Sequence, residues 1–335
     1  MLEKLSRRAL TAVAALAFAA GCAGNSSPVT PGSSMFQPSL RQAGPANRVI
    51  PGPAVAGSIV VPVVPHRTSL PHGWPAKRLG KPILFVADLT NSVIELYNPV
   101  KPNPSPEGSI TNGISTPAGV ATDRSGTLYV ANLGSSTVTE YLAGQSSPNL
   151  TISSGLSGPY GIAVDSKGNV FASNLNNNTV VGYAAGQTSP FESIDFSSLG
   201  QPVGIGVDGL DNVWVACDST NAVFEIPAGS STPQNANLSS LAGPIGISFG
   251  KKDVFYVSNF STSNVEIYQY GSTSPSGTIT SGISGPTLNG FAREGHFWQS
   301  NQNVNAVGYR TAQTTPYSTI TGLGDPLGIA LWPAI

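Results

Sequence analysis

A chain of 335 residues is long enough for two ordinary domains or for one large closed architecture. Only 10% of the residues are charged, beside 38 Gly, 28 Pro and 40% hydrophobic residues, which excludes a coiled coil, a helical bundle and an acidic disordered chain. Lys and Arg number 16 against 17 Asp and Glu, so no polycationic face exists to hold nucleic-acid phosphates, and 2 Cys cannot build a disulfide framework or a four-thiolate zinc site.

The chain begins with Lys4, Arg7 and Arg8, followed by an uncharged run from Ala9 to Ala20 that ends in Gly21-Cys22. Such a run is too short to span a bilayer and fits the hydrophobic region of a signal peptide, here 1–21. Ala19-Ala20-Gly21-Cys22 resembles a bacterial lipobox, with Ala where that motif favours Leu. The resemblance implies that Cys22 becomes the lipid-modified first residue of an exported protein held at the cell envelope. The alternative is an ordinary secretory signal and a secreted or periplasmic chain. Loss of Lys4, Arg7, Arg8 and Glu3 leaves 13 basic and 16 acidic residues. Residues 22–80 are rich in Pro, Ser and Gly and are expected to form a disordered tether with one possible strand at 58–64.

From residue 81 onward the chain repeats itself. Prolines at 117, 159, 202, 244, 286 and 326 open successive copies at intervals of 42, 43, 42, 42 and 40 residues. A representative copy has four short β-type runs: Pro159 to Asp165, Gly168 to Asn174, Thr179 to Tyr183, and then Pro190 with Ile194 to Leu199, separated by turn residues. The second run carries an aromatic column, Phe85, Tyr129, Phe171, Trp214, Tyr256 and Trp298, expected to be core. Three residues later stand Asp88, Asn132, Asn174, Cys217, Asn259 and Asn301. The third run ends at Tyr97, Tyr141, Tyr183, Ile226, Tyr268 and Tyr309, and a Pro follows seven residues after each of the last five.

The first run alternates small and large residues, which is the period of a strand. Its small side reads Gly119 and Ala121, Gly161 and Ala163, Gly204 and Gly206, Gly246 and Ser248, Gly290 and Ala292, Gly328 and Ala330. Small residues suit the crowded axis on which blades converge, so this run is placed innermost. A four-stranded unit of this length cannot bury both faces alone, and neighbours must stack around an axis. The first copy lacks a Pro-x-Gly run, while Pro326 to Trp332 at the C-terminus has nothing after it. The expected fold is therefore all-β: a six-bladed β-propeller over 81–335, monomeric, in which the C-terminal strand closes the first blade.

The pattern Pro159-Tyr-Gly-Ile-Ala-Val-Asp165 followed by Gly168-Asn-Val-Phe-Ala-Ser-Asn174 resembles the NHL repeat, over roughly residues 83–332. The resemblance implies a propeller that serves as a binding platform or, as in gluconolactonase-like hydrolases and virginiamycin B lyase, as an enzyme holding a divalent cation near the axis. Calcium, magnesium or zinc would need several convergent oxygens. The candidates are Asp88, Asn132, Asn174, Asp218, Asn259 and Asn301, all expected on the face that carries the Pro-x-Gly turns. A protein or small-molecule ligand would use the same face. The competing reading is that Asn and Asp at strand ends cap turns, and it extends to Asp123, Asp165 and Asp208, two of which precede a Gly by three residues.

The sixth copy breaks the pattern at Arg293, Glu294 and His296, where Arg293 is expected to occupy a strand position that is Val, Phe, Leu or Thr elsewhere, ahead of a shortened turn. These three are the weak catalytic candidates; the alternative is a charged group facing solvent. Cys217 reads either as a reactive thiol or as a small buried apolar residue. No Gly-x-Ser-x-Gly elbow occurs. The leading expectation is a lipid-anchored binding or scaffold module that touches the membrane only through its anchor, and the rival is a metal-dependent lactonase or lyase.

Overall fold

A computed structural model describes residues 81–251, 254–292 and 295–332. The expected signal peptide, Cys22, the tether with its 58–64 strand, Arg293 and Glu294 lie outside the described residues.

The described residues form strands, turns and one 3-10 turn at Asp218–Thr220. In chain order, β1 (Ile83–Asp88), β2 (Val93–Tyr97) and β3 (Gly108–Ile110) begin blade 1. Blade 2 is β4 (Pro117–Thr122), β5 (Leu128–Asn132), β6 (Thr137–Tyr141) and β7 (Leu150–Ile152). Blade 3 is β8 (Pro159–Val164), β9 (Val170–Asn174), β10 (Thr179–Tyr183) and β11 (Pro190–Asp195). Blade 4 is β12 (Pro202–Val207), β13 (Val213–Cys217), β14 (Ala222–Ile226) and β15 (Gln234–Asn235). Blade 5 is β16 (Pro244–Phe249), β17 (Val254–Asn259), β18 (Asn264–Gln269) and β19 (Gly277–Ile279). Blade 6 is β20 (Pro286–Phe291), β21 (Phe297–Asn301), β22 (Asn305–Tyr309) and β23 (Ser318–Ile320), and β24 (Pro326–Trp332) returns to pair with β1. The result is six four-stranded antiparallel sheets in a ring, a six-bladed β-propeller.

The Pro-x-Gly strand is innermost because its glycines press against the backbone of the next blade. A Cβ on Gly246 would lie 2.5 Å from Thr287 O, and added Cβ atoms on Gly119, Gly161 and Gly204 would meet Tyr160 O, Val203 O and Ile245 O. Gly328 meets Ala118 O in the same way, which carries the contact across the seam from β24 to β4 and closes the ring. Closure pairs Leu84 with Leu331, Phe85 with Ala330 and Val86 with Ile329, so blade 1 has no bare inner edge.

Blade 6 departs from the sequence expectation in its register. Pro286 pairs with Asn301 as Pro117 pairs with Asn132, so Leu288, and not Gly290, takes the slot of Gly119. The strand position assigned to Arg293 belongs to Phe291, which pairs with Phe297 as Val164 pairs with Val170. The turn is not shortened either: Ala292 N–H donates to His296 O at 2.9 Å just as Asp165 N–H donates to Asn169 O at 3.0 Å. The Pro sets the register because it cannot donate to the ladder and must start the strand.

The aromatic column lies between blades, from Phe85 and Trp298, which are fully buried, to Phe171 and Tyr256 at 8% exposure. Each fully buried large side chain contributes about 1.5–3 kcal/mol. The tyrosines that end the third strands have a second use: Tyr141, Tyr183, Tyr268 and Tyr309 donate to Asn112 O, Ser154 O, Ser239 O and Ser281 O at 2.6–2.7 Å. Each hydroxyl thereby fixes the loop that leads into its own blade.

Candidate functional site

One face of the ring carries the loops that enter the Pro strands. There each second strand ends opposite a proline, which lacks an N–H, and where that strand ends in Asn the side chain binds the loop that leads into the proline. Asn132 Oδ1 accepts from Ser115 N at 3.0 Å, Asn174 Oδ1 from Ser157 N at 3.0 Å, Asn259 Oδ1 from Ala242 N at 3.1 Å and Asn301 Oδ1 from Ser284 N at 3.1 Å. Their amides donate to Gly155 O, Ser240 O and Gly282 O in blades 3, 5 and 6, and to Thr139 Oγ1 in blade 2. All four are fully buried.

Asp88 fills the same slot in blade 1, where it holds the chain ends together. Its carboxylate accepts from Asn91 N at 3.0 Å, Asn91 Nδ2 at 2.9 Å, Gly324 N at 2.6 Å and Asp325 N at 3.3 Å. A carboxylate is needed here because four donors converge, more than an amide oxygen can accept. Nearby Asp325 has its carboxyl pushed up, first by burial and further by the charge of Asp88.

Blade 4 has Cys217 in this slot, fully buried, with burial pushing its thiol up to about 12. A thiol in an apolar site stays protonated and unreactive. The loop it cannot hold is fastened by Ser219 and Thr220 instead: Gln201 N donates to Ser219 Oγ at 2.9 Å and Thr220 Oγ1 to Leu199 O at 2.8 Å. Asp218 begins that turn, half-buried, with its carboxyl raised by burial.

The opposite face carries the hairpin turns after the Pro strands. Asp123 Oδ1 accepts from Ser125 N and Thr127 N, Asp165 Oδ1 from Lys167 N and Asn169 N, and Asp208 Oδ1 from Leu210 N and Asn212 N, all at 2.8–2.9 Å. The Asp208 carboxylate also accepts Trp214 Nε1 at 2.9 Å. With Asp211, which Ser166 binds at 2.9 and 2.7 Å and whose carboxyl those bonds lower, they rim a cavity of about 190 Å³. His296 sits on this same face, its ring 5.4 Å from that of Tyr317. It is therefore on the face away from Asp88, Asn132, Asn174, Asn259 and Asn301, and the two candidate groups do not form one site.

Two features escaped the sequence reading. Blades 5 and 6 share a buried polar seam: Asn289 Nδ2 donates to Ser258 Oγ, which donates to Gln299 Oε1, both at 2.6 Å, and Gln299 Nε2 donates to Ser300 O at 2.7 Å. Asn289 stands where the other blades have Ile or Val and Gln299 where they have Val or Ala, and the Asn289 substitution is visible only once the register is anchored on Pro286. The second is a groove of about 490 Å³ between blades 3 and 4 on the hairpin face. Phe191, 53% exposed, and Glu192 form one wall, and the loop from Pro227 to Ser231 forms the other. Burial raises the Glu192 carboxyl.

Among the described residues, no three His, Cys, Asp or Glu side chains stand together as metal ligands would. No protein-family model matches this chain, and none of the curated proteins matches it. Solved structures do. A chain in the crystal structure of a nidogen/laminin complex superposes with a TM-score of 0.64 at 15% identity, covering 75% of this chain and 98% of that one. Virginiamycin B lyase from Staphylococcus aureus superposes with a TM-score of 0.50 at 11% identity, covering 75% of this chain and 99% of that one. At such identities the likeness is one of architecture, and what this chain has in common with both is its fold, the six-bladed β-propeller.

Proposed function

We propose that the protein is an exported, lipid-anchored binding or scaffold module of the cell envelope, whose propeller presents preformed loops to a protein or small-molecule ligand. The observation that carries this reading is the use of Asn132, Asn174, Asn259 and Asn301. Oxygens that would have to converge on a cation instead hold the loops' own N–H groups at 3.0–3.1 Å. A metal-dependent lactonase or lyase needs several such oxygens free for calcium, magnesium or zinc. Loops fastened in advance lose little conformational freedom when a partner docks, which favours recognition.

The test is a set of melting curves for Asp88→Ala, Asn132→Ala, Asn174→Ala, Asn259→Ala and Asn301→Ala, with and without millimolar calcium. The binding-module reading expects each variant to lose about 1–3 kcal/mol through unsatisfied buried donors, with the same loss in both conditions. Losses that appear chiefly with calcium would turn the reading to the metal enzyme, because a ligand stabilises only the state that binds it. For the anchor, which rests on Ala19-Ala20-Gly21-Cys22, Cys22→Ser should move the protein from membranes to the soluble exported fraction. Unchanged membrane association would refute it.

A further inference from the structure

The ring contains two equivalent grooves on its hairpin face, and one is already filled. In blade 6, Gly308 pairs with Trp298 on one side and Ser318 on the other; in blade 3, Gly182 pairs with Phe171 and Glu192. Tyr317 therefore corresponds to Phe191 and Ser318 to Glu192. The aromatic geometry agrees: Trp298 and Tyr317 meet edge to face at 5.9 Å, and Phe171 and Phe191 at 6.1 Å. A Cβ on Gly182 would come within 2.8 Å of Phe191, so the Gly makes room for the ring.

Between blades 6 and 1 the groove holds the chain's own residues 98–107, Asn-Pro-Val-Lys-Pro-Asn-Pro-Ser-Pro-Glu. Tyr317 donates its hydroxyl to Pro99 O at 2.5 Å, Asn103 N donates to Ser318 Oγ at 3.0 Å, and Thr319 N donates to Asn103 Oδ1 at 2.8 Å. Between blades 3 and 4 the matching loop is only residues 227–233, and the groove is left open with Phe191 at 53% exposure. The open groove also differs in charge. Glu192 stands where Ser318 stands in the filled one, Asp165 and Asp211 line the same cavity, and among the described residues Lys167 is the one cation lining it.

We propose that the groove between blades 3 and 4 binds an extended, proline-rich peptide segment of a partner protein, with a Lys or Arg of that segment set against Glu192. This rests on the binding-module reading and gives it a partner class. Proline-rich strands suit the site because they are already extended and lose little entropy on docking against an aromatic ring. In the filled groove a Pro-x-x-Pro stretch of this chain, Pro99 to Pro102, lies against the Tyr317–Ser318 pair that corresponds to Phe191 and Glu192. The carboxylates select the cationic residue by charge complementarity.

The probe is a fluorescein-labelled peptide of the sequence of residues 98–107, titrated by anisotropy into the full mature chain, with a second peptide carrying Ala at the Lys101 position. The Lys peptide is expected to bind with a Kd of about 10–100 μM, in the range of small wet contacts. Phe191→Ala should weaken it at least about tenfold while lowering Tm by no more than about 5 °C, since the ring is half exposed and its removal costs only its contact with Phe171. Glu192→Gln should weaken the Lys peptide and leave the Ala peptide unaffected, which separates recognition from any change of shape. A photo-crosslinking phenylalanine at position 191 should link to the peptide. No binding at millimolar peptide, binding indifferent to Phe191→Ala, crosslinks to residues 22–80 of the same chain, or crosslinks to a second copy would each overturn the proposal. None of these outcomes touches the fractionation and calcium tests, so the groove can fail while the binding module stands.

Discussion

Gly246→Ala probes the contact on which the whole ring depends. The new methyl would sit 2.5 Å from Thr287 O, 3.0 Å from Ser258 Oγ and 3.1 Å from Asn289 Nδ2, against about 3.4 Å for ordinary contact. The nearest atom is backbone of the neighbouring inner strand, so blades 5 and 6 must separate by nearly an ångström or the strand must tilt. Overpacking of this kind costs about 1–3 kcal/mol, partly offset by the smaller entropy of an unfolded chain with Ala in place of Gly. For a domain of this size each kcal/mol moves Tm by about 2–4 °C, so a fall of about 3–10 °C is expected in a thermal melt. The control is Gly277→Ala on outer strand β19, where the closest atom lies at 3.6 Å. It should melt within about 1 °C of the parent or slightly above. If Gly246→Ala melted as high as Gly277→Ala, the inner strands would not pack as closely as the ring requires.

Deleting residues 326–335 should abolish cooperative folding, because it removes β24, the inner partner of β1, and leaves Gly324 and Asp325, whose N–H groups donate to Asp88, at a loose chain end. Several unsatisfied backbone groups at about 1–3 kcal/mol each exceed a typical stability of about 5–15 kcal/mol; a truncated chain melting like the full one would refute closure by β24. Cys217 should resist iodoacetamide at pH 8 in the native Cys22→Ser chain and react at once in denaturant. Its folded value of about 12 lies above the unfolded thiol, so this group's contribution to stability is present below about pH 8.5 and is lost as pH rises toward 12. Rapid native alkylation at pH 8 would contradict the burial.

The architecture was legible because one arrangement recurs in most blades. A proline begins the inner strand, and in blades 2, 3, 5 and 6 an Asn stands opposite it while a Tyr hydroxyl reaches back to the loop that precedes that proline. Those three residue types repeat with the period and reveal it. Blade 6 misled because Gly290-Phe-Ala292 imitates the Gly-x-Ala of β4 and β8, whereas the register follows Pro286. Anchoring on glycine placed Arg293 in a strand slot that belongs to Phe291. The role of Asn132 was only half legible: its type suggested a cap or a ligand, and the choice depends on Ser115 N, 17 residues earlier. The groove at Phe191 could not be read at all, since it arises from the difference between two loops belonging to different blades.

The central claim, the proposal of a binding module and not a metal-dependent hydrolase or lyase, is tested most directly by elemental analysis of the protein purified without chelators. The account predicts calcium, magnesium and zinc all far below one ion per chain. One tightly held ion per chain, lost together with an activity on lactone or related substrates when chelator is added, would contradict it.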